Sequence, residues 1–115
     1  MSLTDATWIT LLEGADESGD LGRKAAYAIA AESCLAYEIE DKDVYVTPGR
    51  SIITWDTIGK QYGGGFGTGS AVLRDVCASL DGRTSTVNLL GLWDLDMGQR
   101  GVILGALARY LGAGA

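Results

Sequence analysis

Glycine is spread unevenly along this chain, and the unevenness separates two kinds of structure. Three of the seventeen glycines precede residue 48 and fourteen follow it. Because glycine weakens helices and allows turns that other residues avoid, we expect compact helices in the first third and more turns afterwards. The chain has no proline-rich linker and no internal repeat. We therefore predict a single α+β domain over residues 1–115, mostly helical.

Caps and apolar stripes locate the helices of the first third. Ser2 or Thr4 can cap a short helix that Gly14 and the polar run over residues 16–19 bring to an end, and Asp20 can cap a long helix over residues 21–39. The long helix is rich in alanine and apolar around much of its circumference. We expect it to be the central helix, with its alanines allowing neighbours to approach closely.

A β-hairpin is predicted near residues 44–55. The segments 44–47 and 50–55 are short and rich in β-branched and aromatic residues. Between them, Pro48 and Gly49 suit a type II turn, because proline fixes φ and glycine accepts a positive φ.

Two further helices are predicted in the glycine-rich part. Residues 70–80 carry an apolar stripe with Ser70 as the expected N-cap, and Asp96 with Gln99 indicates the start of a last helix. The apolar residues of the last helix, through Leu111, are expected to face inward. Residues 87–93 fit a buried strand or a short helix, since brief apolar runs do not reveal their period. We favour the helix.

The predicted last helix contains small residues that lower its stability. Gly101 and Gly105 each lower its intrinsic stability by about 1 kcal/mol relative to alanine. We expect these glycines and Ala108 to allow close contact with another helix, either in this chain or in a second copy.

The chain shows a definite order of elements, in which the segment SLTDATWITLLEGADES is followed by an alanine-rich helix and then by a β-hairpin. This order of elements, over roughly the first 55 residues, resembles the small head-tail connector and adaptor proteins of tailed phages. The resemblance implies a ring-forming virion component without catalytic residues, in which helix faces and the hairpin contact neighbouring subunits.

The formal net charge of -6 argues against a general nucleic-acid binder, because the chain has only nine scattered Lys and Arg residues. Residues 1–20 contain acidic side chains and no basic one. They could form a solvated surface near helix N-termini, or a surface that binds a basic partner or imitates a phosphate backbone. The candidate residues for the acidic partner surface are Glu13, Asp16, Glu17 and Asp20.

The cysteines and the N-terminus suggest a compartment. Cys34 and Cys77 both fall in predicted helices, and we interpret them as buried thiols rather than a disulfide. No secretory signal pattern and no apolar run of membrane-spanning length is present. We expect a cytoplasmic protein, or part of a virion assembled in the cytoplasm, with no membrane partner.

The segment at residues 62–70, which reads YGGGFGTGS, precedes the third predicted helix. Exposed backbone N–H groups before a helix N-terminus can hold an anion. The segment lacks the lysine of a P-loop, and its GxGxxS pattern is an incomplete dinucleotide fingerprint that follows a hairpin. Either it binds a phosphate or it is a tightly turning connector. The candidate anion-binding residues are Lys60, Gly65, Gly67, Thr68, Gly69, Ser70 and Arg74.

The sequence gives little support for a catalytic site or a metal site elsewhere in the chain. The chain has no histidine, which removes Ser-His-Asp and Cys-His sites, and its two cysteines cannot form a four-ligand zinc site. Asp94 and Asp96 could hold a divalent cation, but helix capping by Asp96 is favoured. A calcium loop beginning at Asp41 and Asp43 fails, because residues 45–46 lack the required ligand and glycine. We predict no catalytic residue, no metal site and no cofactor.

Binding to a protein is the function that this reasoning favours. Trp55, Tyr62 and Phe66 flank the glycine-rich segment and are predicted as interface anchors, whereas Trp8 and Trp93 are assigned to the core. We expect a non-enzymatic assembly protein, most simply a homo-oligomer. The alternatives are an acidic inhibitor or nucleic-acid mimic, and a phosphate-binding or nucleotide-binding protein or small enzyme.

Overall fold

The computed structural model describes residues 2–48, 50–59, 67–82, 87 and 89–112. These ranges contain four α-helices, which are α1 (Asp5–Ser18), α2 (Leu21–Glu32), α3 (Thr68–Leu80) and α4 (Met97–Leu111). They also contain the strands β1 (Val44–Thr47) and β2 (Arg50–Ile53), which pair antiparallel. Short 3-10 turns lie at Cys34–Tyr37, Asp41–Asp43, Trp55–Thr57 and Leu89–Asp94. The predicted α+β fold, mostly helical with one hairpin, is confirmed.

Helix α2 occupies the centre, as predicted. It packs against α1, α3 and α4, and residues 25–30 are all buried. The approach of α3 is so close that a Cβ on Gly22 would collide with the carbonyl oxygen of Leu80. The hydroxyl of Tyr27 accepts a hydrogen bond of 2.9 Å from the backbone N–H of Ile53. This bond joins α2 to the hairpin and satisfies a buried polar group.

Three predicted N-caps are confirmed. The side chains of Thr4, Asp20 and Asp96 each accept a hydrogen bond from the backbone N–H three residues further along. The side chain of Gln99 accepts a hydrogen bond of 3.3 Å from the backbone N–H of Cys34. Gln99 therefore joins the first turn of α4 to the chain segment that follows α2.

The long helix predicted over residues 21–39 is wrong in its extent. Helix α2 ends at Glu32, and Ser33 adopts an extended conformation. The Ser33 hydroxyl accepts a hydrogen bond from the backbone N–H of Leu35, which opens the first 3-10 turn. Serine competes with the helix for backbone hydrogen bonds in this way.

The first helix ends within the predicted polar run, but Gly14 takes no part in ending it. Helix α1 continues to Ser18 and ends at Gly19, which has a φ of 71°. Gly14 lies inside the helix, where a Cβ would be only 3.1 Å from the Cβ of Ser51 on β2. Glycine here allows the hairpin to pack closely on α1.

Two further predictions concern the chain around the hairpin and before α4. The predicted type II turn lies outside the described residues at Gly49, although both of its strands are present. Residues 89–94 form a 3-10 turn. Of the two alternatives for this segment, the short helix was therefore the closer one.

Candidate functional site

Four of the predicted anion-binding residues, Gly67, Thr68, Gly69 and Ser70, lie at the N-terminus of α3. The helix begins at Thr68, with Gly67 as N-cap, so the assignment of Ser70 as the N-cap is wrong. Ser70 is buried, and its hydroxyl donates a hydrogen bond of 2.7 Å to Oε1 of Glu38. The hydroxyl that a phosphate would need already has an acceptor within the chain.

Glu38 changes what this helix end can hold. An ionised carboxylate is stabilised beside a helix N-terminus, and it would repel a second anion at the same place. The other carboxylate oxygen, Oε2, is buried and has no hydrogen-bond partner among the residues that the structure describes. This environment weighs against phosphate binding by the first turn of α3.

Two cations were predicted for this site, and of these Arg74 lies within the described residues. Lys60 and the predicted Gly65 lie outside them. Nη1 of Arg74 donates a hydrogen bond of 3.1 Å to the carbonyl oxygen of Ile58, and its Nε lies 3.4 Å from a carboxylate oxygen of Asp75. The guanidinium therefore links α3 to the chain that follows the hairpin.

The acidic residues predicted to face a basic partner do not form one unpaired patch. Asp16 forms an ion pair with Lys24 at 3.3 Å, and Asp20 caps α2. Two of the four, Glu13 and Glu17, line a groove between α1 and the hairpin, and that groove also contains two arginines. The charged residues lining it are Glu13, Glu17, Arg23 and Arg50. Mixed charge is poorly suited to imitating a phosphate backbone.

Trp55 belongs to the core, so its prediction as an exposed anchor is wrong. Only 2% of its surface is exposed, and its ring meets that of Tyr27 edge to face at 5.8 Å. The indole N–H donates a hydrogen bond of 2.9 Å to Asp81, which also accepts one of 2.7 Å from Nε of Arg23. This hydrogen bond to Asp81 raises the pKa of Arg23. The 3-10 turn after β2 directs the indole inward, where its N–H finds a partner.

Trp93 shows the opposite outcome, since it was assigned to the core and is 74% exposed. The guanidinium of Arg100 lies 5.1 Å from the centre of its ring and donates a hydrogen bond to its carbonyl oxygen. Trp8 packs against the core, as predicted. The other predicted anchors, Tyr62 and Phe66, lie outside the described residues.

Helix α4 has a buried side and an exposed apolar side. Ile103 and Ala106 face the core and are buried. The other side carries five residues spaced alternately four and three apart, which is the repeat of a helix that pairs with another helix. We call this surface the α4 outer face. It consists of Met97, Gly101, Leu104, Ala108 and Leu111, together with the neighbouring Gly105.

Large side chains of the α4 outer face are open to solvent. The exposed fraction is 83% for Met97, 66% for Leu104 and 45% for Leu111. A Cβ on Gly101 or Gly105 would meet no atom within 4 Å. The structure thus brings the predicted interface residues Gly101, Gly105 and Ala108 together on one surface. Within the part of the chain that is described, no packed neighbour explains the two glycines.

Sequence reasoning missed the large residues of this surface. Met97 and Leu104 were not considered, and Leu111 was expected to face inward. The alternating spacing of four and three was a usable signal, but inward-facing residues of the same helix follow a similar period. Only burial separates the two stripes.

The described residues include two thiols and other side chains of the kinds that can bind a metal. Cys34 and Cys77 are both free, and burial raises the pKa of the Cys77 thiol, which is consistent with its role as a small core residue. Across the described ranges, no three metal-ligating side chains of the His, Cys, Asp or Glu type cluster together. A search of the same residues finds no helix with the length and apolar character needed to cross a membrane.

Comparison with protein families, with curated proteins and with solved structures gives no significant match to this chain.

Proposed function

We propose that this protein acts by binding rather than by catalysis, and that it associates with further copies of itself through the α4 outer face. The observation that carries the proposal is the row of exposed large apolar side chains on α4, next to glycines with open space above them. Such a row offers both apolar area and room for a partner's side chains.

Hydrophobic burial supplies the driving force for this association. Removing apolar surface from water stabilises a complex by about 25 cal/mol for each Å² buried, before the costs of association are subtracted. Contiguous apolar surface on a folded protein is typical of interaction sites. Leu90 and Trp93, both exposed and just before α4 in the chain, add apolar residues of the kind found in interfaces.

The virion role implied by the resemblance to phage connector and adaptor proteins is one setting for such self-association. The two other functions considered from the sequence have less support. Glu38 beside Ser70 opposes a phosphate, and the ion pair between Asp16 and Lys24 divides the acidic surface.

The test measures absolute mass by light scattering after size exclusion, over a concentration series. We expect a mass that is a multiple of the 12.0 kDa chain. Leu104→Gln should lower the association constant at least about tenfold, since it removes a central apolar contact worth over about 1.4 kcal/mol. Ile9→Gln is the matched control, because Ile9 is also an exposed apolar residue on a helix, α1. It should leave the mass unchanged.

A wild-type mass of one chain at every concentration would refute self-association. An oligomer that Leu104→Gln and Ile9→Gln leave equally intact would show that association uses another surface.

A further inference from the structure

We infer that two copies of this chain pair through their α4 outer faces with the helices antiparallel. The inference rests on the proposed function and adds to it the partner's orientation and register. Its basis is the order of large and small residues along the face, together with the charges at its two ends.

Large and small side chains alternate along the α4 outer face. An antiparallel register that places Leu104 of one copy opposite Gly101 of the other also places Met97 opposite Ala108. Met97 and Leu104 then each meet a small side chain, and close packing of this kind avoids cavities. Leu111 falls opposite residue 94, which precedes the start of α4. A parallel pair in register would instead place Gly101 opposite Gly101, where neither copy supplies a side chain to fill the space.

Charge favours the same orientation. Asp94 and Asp96 are exposed at the N-terminal end of α4, and Arg109 is exposed at its C-terminal end. Antiparallel helices bring the acidic end of each copy beside the basic end of the other, and they also oppose the two helix dipoles. The remaining cation of α4, Arg100, donates hydrogen bonds to carbonyl oxygens of its own chain, including that of Leu92.

The antiparallel pair has two-fold symmetry. Both copies use the same surface, so the contact closes after two chains rather than extending into a ring. The mass produced by this contact alone is twice the 12.0 kDa of one chain.

Disulfide trapping tests the orientation. Met97→Cys and Ala108→Cys place thiols at exposed positions where folding does not depend on the native side chain. One variant carries a cleavable tag, and the two are mixed, oxidised mildly and separated without reductant. The wild-type chain, treated alone, measures the background from Cys34 and Cys77.

We expect cross-linked dimers only in the mixture of the two variants. In the antiparallel register, the two copies of residue 97 are separated by eleven residues along the helix axis, roughly 16 Å, whereas a disulfide needs Cα atoms within about 7 Å. Neither variant should therefore cross-link to itself.

Two outcomes overturn the inference while leaving the proposed function standing. They are cross-linking of Met97→Cys with itself, which indicates parallel helices, and an oligomeric wild type with no cross-link in the mixture, which excludes this register. A wild type that is monomeric by light scattering overturns the orientation and the proposed function together.

Discussion

Two glycines, one on α2 and one on α4, lie in opposite surroundings. Gly22 faces the carbonyl oxygen of Leu80 so closely that no side chain fits, whereas a Cβ on Gly101 would meet nothing within 4 Å. The first glycine is needed for contact within the chain. The second lowers helix stability and has no packed neighbour among the described residues, which supports the proposed contact between chains.

The same contrast extends to the regions around the two helices. Next to α2, the buried carboxylate of Asp81 accepts hydrogen bonds from Arg23 and Trp55. The buried carboxylate of Asp43 likewise accepts hydrogen bonds from the backbone N–H of Glu40 and from the hydroxyl of Thr57. These two buried carboxylates are satisfied within the chain, while the apolar groups of the α4 outer face remain in contact with water. The region around α2 is therefore packed within the chain, whereas the α4 outer face is exposed.

The largest change in the free energy of unfolding is expected for a substitution in the core. Asp81→Ala should lower the free energy of unfolding by about 3 kcal/mol, because it leaves Nε of the partly buried Arg23 and the buried Trp55 N–H without their acceptor. Urea denaturation measures the loss. The control is Asp75→Ala, whose ion pair with Arg74 is partly exposed and is worth at most about 1 kcal/mol. Equal losses in the two variants would contradict the role assigned to Asp81.

The two glycines provide the sharpest test of the contrast. Gly22→Ala should destabilise the chain by about 2 kcal/mol, since the new methyl group forces α2 and α3 apart. Gly101→Ala should raise the free energy of unfolding by about 0.5–1 kcal/mol through better helix propensity. Both are measured by urea denaturation at concentrations too low for association. Changes of the same sign would remove the distinction between the two sites.

The smallest expected effect is at Trp93. Trp93→Ala should change the free energy of unfolding by about 0.5 kcal/mol or less, because an exposed ring makes only a weak cation–π contact with Arg100. Thermal unfolding of dilute protein provides the measurement. A loss of several kcal/mol would place this tryptophan in the core, as the sequence suggested.

Local signals were the reliable ones. Thr4, Asp20 and Asp96 could be recognised as caps because capping depends on a side chain and a backbone N–H three residues away. The hairpin strands could be recognised for a similar reason, since β-branched and aromatic residues are concentrated in two short segments. The break at Ser33 was missed because the apolar stripe continues past it, to Leu35 and Ile39.

The candidate site was predicted only in part. The small residues of α4 were identified from their cost to helix stability, whereas Met97 and Leu104 were missed. Trp55 and Trp93 were assigned to each other's environments, because an aromatic residue beside a loop can turn toward the core or away from it. The hydrogen-bond acceptor of the Trp55 indole, Asp81, lies 26 positions away, so the residues next to Trp55 do not indicate it.

The sequence by itself determined the order of the helices, three of their N-caps, the hairpin strands and the α+β class, because these depend on residues close together in the chain. Only the tertiary structure decided which apolar stripe of α4 is buried, which tryptophan is exposed and which carboxylate lies beside Ser70. Those outcomes depend on packing between segments far apart in the chain. Ser70 and Glu38 are 32 positions apart, and Trp55 and Asp81 are 26 apart.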